Sequence, residues 1–506
     1  MKLKFPFLIL ALLLASVVSW GQTLSVSPST LRFNAAVESL DFYIGSNTTW
    51  TVKSTATWLK FSPASGSNNM EITVTVQANT TGSQRTATIT VEGNGTPTRT
   101  INVTQSTTLY WDLTATMWAT LDEKGVLTIK TNKNSEAMPK DTPWDSRSDS
   151  IKSVIFETGV DSILQFAFKD HKNLTSVTMA NTVKTIGEGA FENCSSLTSI
   201  TIPNSVTRIG EAAFYRCTSL KSLTLGSSLT TIGLEAFAFC TGLTSVSIPN
   251  SVTRINEAAF YRCTALKSLT LGSSLTAINK EVFAFCTDLD LVTIPASVKT
   301  IGESAFNSCS SLNALVIGNS VTTIDIDAFQ YCTGLTSVTI PNSVTAIGAR
   351  AFRDCSNLNS ITIPNSVKEI GQNAFQNCSK LINVKVNWTT PLTIPYNTFN
   401  GVNVLHATLY VPAGTENAYR NAQVWRDFKI ETIVGNESIG SKSLKAWSDN
   451  NNIHISGLYR GELLSIYNLA GQILYQGIAK AEEERIALSI DGFYIVVAGE
   501  RRVKAR

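Results

Sequence analysis

The chain has 506 residues, more than one globular domain usually holds, so its length predicts several units or a repeat array. Its 41 basic and 38 acidic residues leave a formal charge of +3, too balanced for the concentrated positive surface of a nucleic-acid-binding protein. Nucleic acid is therefore not an expected partner.

Residues 1–21 have the features of a signal peptide. Lys2 and Lys4 precede a short apolar run, and the small residues Ser19 and Gly21 stand three and one positions before a cut after Gly21. No later stretch approaches the roughly 20 apolar residues of a membrane-spanning helix. We expect an exported protein with no transmembrane span in its mature form, either secreted or on the cell surface.

Residues 23–106 predict a small β-sandwich, because apolar and polar residues alternate between frequent turns. The segment resembles the BACON domain at Trp58–Pro63, Ala78–Asn79, Arg85 and Val103–Gln105. That resemblance implies either carbohydrate or mucin binding, or a spacer. Trp50 and Trp58 are the candidates for stacking on a sugar ring, although a buried core tryptophan is the commoner outcome in a sandwich.

Residues 107–150 are predicted to form a linker and the N-terminal cap of the next unit, residues 151–384, which is a repeat. Its nine cysteines recur every 23 residues from Cys194 to Cys378, and Phe168 starts a phenylalanine series with the same spacing. Repeats of roughly 20–29 residues are typical of leucine-rich-repeat solenoids, which stack one short strand per repeat. The position directly after the second Ile of each repeat, as Gly210 follows Ile209, contains only Gly, Asn or Asp. These residues tolerate a positive φ, so this column predicts a left-handed turn in every coil. Its members are Gly187, Gly210, Gly233, Asn256, Asn279, Gly302, Asp325, Gly348 and Gly371.

Within one repeat, the alternation predicts which side chains are buried. Leu197, Ile200 and Ile202 are expected to point inward, while Thr198, Ser199 and Thr201 line the exposed face of the sheet. Phe214 and its neighbours are expected to fill the opposite side of the coil. The protein is thus predicted to be mainly β, with a leucine-rich-repeat solenoid of 23-residue period flanked by an N-terminal and a small C-terminal β-sandwich.

The recurring pattern Ala-Phe-x-x-Cys-x-x-Leu resembles the BspA-like leucine-rich-repeat family of bacterial surface proteins. The resemblance implies an adhesin whose partner is a host extracellular or bacterial surface protein. Residues 385–434 resemble the C-terminal cap of the same family, notably at Asn387–Pro391 and Thr408–Thr415.

Residues 435–506 form a third β-rich module. Ile453–Gly457, Leu464–Gln472 and Gly492–Val497 resemble the C-terminal sorting domain of type IX secretion substrates. That resemblance implies recognition by the type IX secretion machinery and passage to the exterior of the outer membrane. A purely structural terminal sandwich is the alternative.

No catalytic, cofactor or metal site is predicted. The three histidines, His171, His406 and His454, stand in three different segments and cannot form one site. One cysteine per rung gives a line of sulfurs, whereas zinc needs ligands that converge on a tetrahedron. Buried free thiols are the favoured interpretation. Disulfides between neighbouring rungs are the alternative, but nine is an odd number, so at least one cysteine would stay unpaired.

The candidate binding residues of the repeat are of two kinds. Exposed threonines form one column of the strand face, which suits a repetitive ligand, although Thr is also simply a good exposed β residue. Basic and aromatic residues, which are typical interface anchors, interrupt this pattern. The candidates are Thr201, Thr224, Thr270, Lys221, Lys267, Tyr215, Arg216, Tyr261 and Arg262.

Two functions follow from these observations. In the first, the repeat surface of a non-catalytic adhesin binds a protein. In the second, the BACON-like segment binds glycan or mucin and the solenoid is a spacer. Deleting residues 23–106 separates the two.

Overall fold

The structure is a computed structural model that describes residues 21–433 except 82 and 141, and residues 444–449, 452–458, 463–468, 473–488, 494–498 and 501–505. Apart from Gly21, the predicted signal peptide lies outside the described residues. The chain divides into two compact units, an N-terminal β-sandwich and a longer unit that contains the solenoid.

The N-terminal unit is a β-sandwich of two sheets, as predicted. Its four-stranded sheet has the spatial order Leu24–Ser27, Glu38–Ser46, Met70–Val76, Leu59–Ser62. Its five-stranded sheet has the order Thr30–Phe33, Arg99–Gln105, Arg85–Gly93, Thr49–Lys53, Ser65–Ser67. Alternate residues of each strand, such as Ile72, Val74 and Val76, point into a shared apolar core, because side chains alternate between the faces of a strand.

The longer unit is a coil with two series of parallel strands. Leu109–Asp112 and Met117–Leu121 precede it in the chain. The long-strand series consists of Val126–Thr131, Ser153–Phe156, Ser176–Met179, Ser199–Thr201, Ser222–Thr224, Ser245–Ser247, Ser268–Thr270, Leu291–Thr293, Ala314–Val316, Ser337–Thr339, Ser360–Ile363, Asn383–Val386, Thr408–Val411 and Lys429–Thr432. The short-strand series consists of Glu136–Ala137, Val160–Ile163, Thr185–Ile186, Arg208–Ile209, Thr231–Ile232, Arg254–Ile255, Ala277–Ile278, Thr300–Ile301, Thr323–Ile324, Ala346–Ile347 and Glu369–Ile370.

Among the described residues, helices are few and short. Two 3₁₀ segments, Asp145–Ser150 and Trp425–Asp427, and one α-helix, Glu416–Asn421, lie near the ends of the coil. Within the described ranges, no helix is both long and apolar enough to cross a membrane.

The strand register equals the sequence period. Ser199 pairs with Ser222 and Thr201 with Thr224, so equivalent residues of successive repeats stand side by side. Leu197, Ile200 and Ile202 are buried, whereas Thr198, Ser199 and Thr201 are exposed, which confirms the predicted inward and outward positions.

A buried column of phenylalanine rings runs along the inside of the coil. The phenylalanine rings from Phe168 to Phe399 form a continuous stack, with successive centroids 5.2 to 5.6 Å apart and planes within 15° of parallel. Trp144 covers one end of the stack at 5.6 Å, and Trp425 meets Phe399 edge-on at 5.8 Å at the other. Because each coil can bury its rings only against its neighbours, these tryptophans close the exposed ends of the core.

The left-handed turn predicted at the glycine column is wrong. Gly187, Gly210 and Gly233 have no positive φ; the left-handed residues stand two and six positions further on, as at Ala212 and Arg216 (φ 49° and 59°). A Cβ on Gly233 would lie 2.4 Å from the carbonyl carbon of Gly210 in the preceding coil. At glycines such as Gly233 the backbones of successive coils thus approach too closely for a Cβ, whereas the coils with Asn256, Asn279 and Asp325 accommodate one at the same position.

The described part of the C-terminal module contains two antiparallel sheets. One has the order Lys445–Asp449, Asn452–Ser456, Glu483–Ala487, and the other the order Ile473–Ile478, Leu463–Asn468, Tyr494–Ala498, Arg501–Ala505. Side chains of both sheets, including Ile455, Ile466 and Val496, share one apolar core, as predicted for a small β-sandwich. The predicted motif residues 469–472, 492 and 493 lie outside the described residues.

Candidate binding surface

The long-strand face presents a row of hydroxyls. Thr201 and Thr224 are direct cross-strand partners, and Thr270 is paired with Ser247 in the same way. All of these side chains are exposed. Adjacent parallel strands lie about 4.8 Å apart, so the hydroxyls form a regular array.

Lys221 and Lys267 stand beside this array, just before their strands begin. Each backbone N–H donates 2.9 Å to a carbonyl of the preceding coil, Lys221 to Thr198 and Lys267 to Thr244. Both side chains are exposed, two coils apart. The strand face thus offers hydroxyls flanked by two separated positive charges.

The turn between the phenylalanine and the cysteine of each repeat carries a different surface, which we call the aromatic–arginine ladder. It consists of Tyr215, Arg216, Phe239, Tyr261, Arg262 and Phe285. The rings meet edge to face across four consecutive coils, with centroids 5.4 Å apart from Tyr215 to Phe239, 5.6 Å from Phe239 to Tyr261 and 5.4 Å from Tyr261 to Phe285.

The two arginines lie over these rings. The guanidinium carbon of Arg216 is 5.5 Å from the ring centroid of Phe239, and that of Arg262 is 4.7 Å from that of Phe285. Such cation–π contacts contribute about 0.5–1 kcal/mol each at exposed sites. The rings are half-buried and the guanidinium groups exposed, so the ladder is a preformed surface of fixed shape.

The left-handed residue of the turn, which recurs every 23 residues, has a large side chain throughout the ladder and also at Tyr331 outside it. Arg216, Phe239, Arg262 and Phe285 all have φ between 57° and 61°, in the left-handed region. Asparagine tolerates that region, and Asn193 and Asn377 occupy the same column, whereas a bulky side chain there is strained by about 1–3 kcal/mol. Hydrogen bonds to the next coil, such as Phe239 N–H to Tyr261 O at 2.8 Å, hold the turn in place.

Sequence reasoning identified both Tyr-Arg pairs but missed Phe239 and Phe285. The signal was present, because these residues occupy the arginine column in the alternate repeats, 23 residues after Arg216 and Arg262. Which side chains meet at the turn depends on the left-handed backbone, and that was assigned to the wrong column.

Trp50 is not available to stack on a sugar. Its side chain is 2% exposed, packs against Gly66 and donates its indole N–H to Asn68 O at 2.8 Å. Trp58 is half-buried, and the Arg85 guanidinium covers one face of its ring at 4.3 Å. The BACON-like signature residues are therefore engaged with each other, since Arg85 is also fixed by a 2.8 Å hydrogen bond to Gln105.

The nine cysteines are buried free thiols, as the sequence favoured. Each thiol donates a hydrogen bond to the backbone carbonyl oxygen of the phenylalanine 26 residues earlier, with Sγ–O distances of 3.1 to 3.4 Å. Burial raises the pKa of the Cys217, Cys263, Cys309 and Cys378 thiols to about 12. Because the thiolate is the reactive form, the ladder of thiols is a packing element.

His171 occupies the position of the first cysteine and is also buried. Its Nδ1 lies 3.2 Å from Lys169 O, and its Nε2 has no hydrogen-bond partner among the described residues. Burial lowers the pKa of this imidazole. In the described ranges, no group of three or more His, Cys, Asp or Glu side chains is arranged to hold a metal ion.

The family of bacterial BspA-type leucine-rich-repeat regions matches residues 146–264, 230–345 and 322–454, which together make up more than half of the chain. The viral BACON domain matches residues 23–108. No curated protein matches the chain.

Among solved structures, a leucine-rich-repeat protein from Bacteroides ovatus is 25% identical, covers 64% of this chain and 98% of its own, and has a TM-score of 0.38. A leucine-rich cell surface protein from Faecalibacterium prausnitzii is 26% identical, with coverages of 55% and 94% and a TM-score of 0.31. The pneumococcal vaccine antigen PcpA is 17% identical, with coverages of 64% and 98% and a TM-score of 0.38. On the family match, the chain belongs to the BspA-type leucine-rich-repeat family, with a BACON domain ahead of its repeats.

Proposed function

We propose that this chain is a non-catalytic bacterial surface protein that binds a protein partner through the aromatic–arginine ladder. The observation that carries the proposal is a preformed row of four rings and two guanidinium groups across consecutive coils. Aromatic and arginine side chains supply most of the energy at protein interfaces. The partner class is an extracellular host protein or a surface protein of another bacterium.

Strain supports a functional reason for the ladder. Phe239 and Phe285 occupy left-handed positions that asparagine fills at Asn193 and Asn377 without the same cost. Strained residues of this kind cluster at binding sites. The ladder rings are half-buried and meet one another edge to face, as Tyr215 meets Phe239 and Tyr261 meets Phe285.

We further propose that the protein reaches the cell exterior by its signal peptide and then by the type IX secretion machinery. The support is the residue pattern of residues 1–21 and of residues 435–506. Deleting residues 435–506 should leave the protein in the periplasm, as measured by cell fractionation. Surface delivery of the truncated chain would contradict the proposal.

The binding proposal is tested with an array of host extracellular-matrix proteins and bacterial surface proteins, probed with the mature chain. The double variant Phe239→Asn/Phe285→Asn removes two rings and relieves the left-handed strain at both positions. We expect at least a tenfold loss of affinity with unchanged or raised thermal stability. Thr201→Ala/Thr224→Ala on the strand face is the matched control and should bind like the wild type.

Two results would refute the ladder as the binding site. One is the absence of saturable binding to any protein on the array. The other is undiminished binding by the asparagine double variant together with a loss in the threonine variant, which would move the site to the strand face. Glycan or mucin binding that depends on residues 23–106 would instead favour the alternative in which the solenoid is a spacer.

A further inference from the structure

A pocket of about 310 Å³ opens at the C-terminal end of the coil, separate from the aromatic–arginine ladder. Its polar lining residues are Asn373, Tyr396, Asn397, Asn400 and Asp427. Apolar side chains, including Val424, form the rest of the wall. This mixture of amides, one carboxylate, one phenol and apolar surface defines what kind of ligand fits.

The three amides have unused hydrogen-bonding capacity. Within residues 21–433, no side-chain hydrogen bond joins Asn373, Asn397 or Asn400 to the rest of the protein, and Asn397 Oδ1 is shielded from solvent without a partner. Some asparagines elsewhere in the coil are paired, as in the 2.8 Å bond from Asn377 Nδ2 to Asp354 Oδ1, but only Asn397 has an amide oxygen that is both buried and without a partner among the described residues. An amide offers both donors and an acceptor, and leaving a buried one unpaired costs about 1–3 kcal/mol.

The wall of the pocket is held in a strained conformation. Val424 has φ 71°, which is a genuine outlier for a β-branched residue. The adjacent Trp425 fixes this turn by donating its indole N–H to Leu392 O at 2.7 Å. Backbone strain that the surroundings enforce is characteristic of ligand sites.

The lining of the pocket contains one acidic residue. It is Asp427, whose Oδ1 lies 4.0 Å from Nε of Arg426, an exposed residue that does not line the pocket. Lys, Arg and His are absent from the lining residues, all of which belong to the described range 21–433. The site therefore suits an uncharged ligand better than a phosphate, sulfate or carboxylate.

We propose that this pocket binds a neutral monosaccharide unit, such as the end of a glycan chain. Sugar hydroxyls both donate and accept, so several of them can bond the accessible amides of Asn373 and Asn400 and the Asp427 carboxylate together. The C–H face of a pyranose packs against apolar wall and against the ring of Tyr396, which is 81% exposed at the rim. A peptide loop of a partner is the competing occupant and is an outcome of the test.

The test titrates the full mature chain by saturation-transfer NMR with glucose, galactose, mannose and N-acetylglucosamine, and with glucose 6-phosphate and N-acetylneuraminic acid as charged probes. At least one neutral sugar should bind saturably. Tyr396→Ala and Asn400→Ala should each weaken that binding at least tenfold without a change in thermal stability, because both side chains are exposed. Leu405→Ala is the matched control, since Leu405 is 77% exposed in the same cap but does not line the pocket.

The proposal is overturned if no neutral sugar binds saturably, or if either pocket variant binds like the wild type. A preference for the charged sugars would also overturn it. Loss of protein-array binding in Tyr396→Ala without any sugar binding would assign the pocket to a peptide instead.

Discussion

Replacing one ring in the middle of the phenylalanine stack should destabilise the coil locally and strongly. Phe260 is fully buried between Phe237 at 5.3 Å and Phe283 at 5.5 Å. Truncating a buried Phe to Ala costs about 3–5 kcal/mol, because the transfer energy is lost and a cavity remains. Leucine keeps most of the apolar volume but loses two ring pairs of about 0.5–1.5 kcal/mol each, so Phe260→Leu should cost about 1–3 kcal/mol.

Hydrogen exchange followed by mass spectrometry measures these costs coil by coil in the intact chain. Each coil contacts only its neighbours, so Phe260→Ala should reduce protection most near residues 237–283 and leave residues 23–106 unchanged. Leu405→Ala, at an exposed position, serves as the control. A cost below about 1 kcal/mol, or an equal loss of protection in the sandwich, would refute the stacked-core explanation.

Three further outcomes follow from single positions. Gly233→Ala places a Cβ 2.4 Å from the backbone of the preceding coil and should lower the free energy of urea unfolding by about 1–3 kcal/mol. Gly414→Ala should cost less, because a Cβ there meets nothing within 4 Å, although the left-handed φ of 82° is strained. The reverse ranking would contradict the close-contact explanation. Burial lowers the folded-state pKa of His171, so the unfolded state takes up a proton first as the pH falls through about 6.5, and stability is lost by at most about 1.4 kcal/mol per pH unit. Thermal unfolding between pH 7.5 and 5 should show this extra loss in the wild type but not in His171→Cys, and parallel curves would argue against it. Finally, the thiol pKa values raised to about 12 predict that iodoacetamide at pH 8 labels the native chain on the order of 1,000-fold more slowly than the urea-unfolded chain. Rapid native labelling of Cys217 or Cys263 would show that the coil opens at the cysteine column.

The amino-acid sequence alone determined the coil. A residue that recurs every 23 positions must meet the same environment in every turn, so the period fixed the parallel register, the inward Leu and Ile positions and the buried Phe and Cys columns. The two flanking sandwiches were also predictable, because alternating strands of period two can bury only one face.

Only the tertiary structure decided the features that depend on which backbones approach each other. Glycines such as Gly233 meet the backbone of the preceding coil, a contact that no single repeat reveals, and the left-handed positions lie elsewhere. Those positions bring Phe239 and Phe285 beside the arginines. The burial of Trp50 and the pocket beside Tyr396 likewise arise from segments far apart in the chain, whose distances and side-chain directions a periodic pattern does not encode.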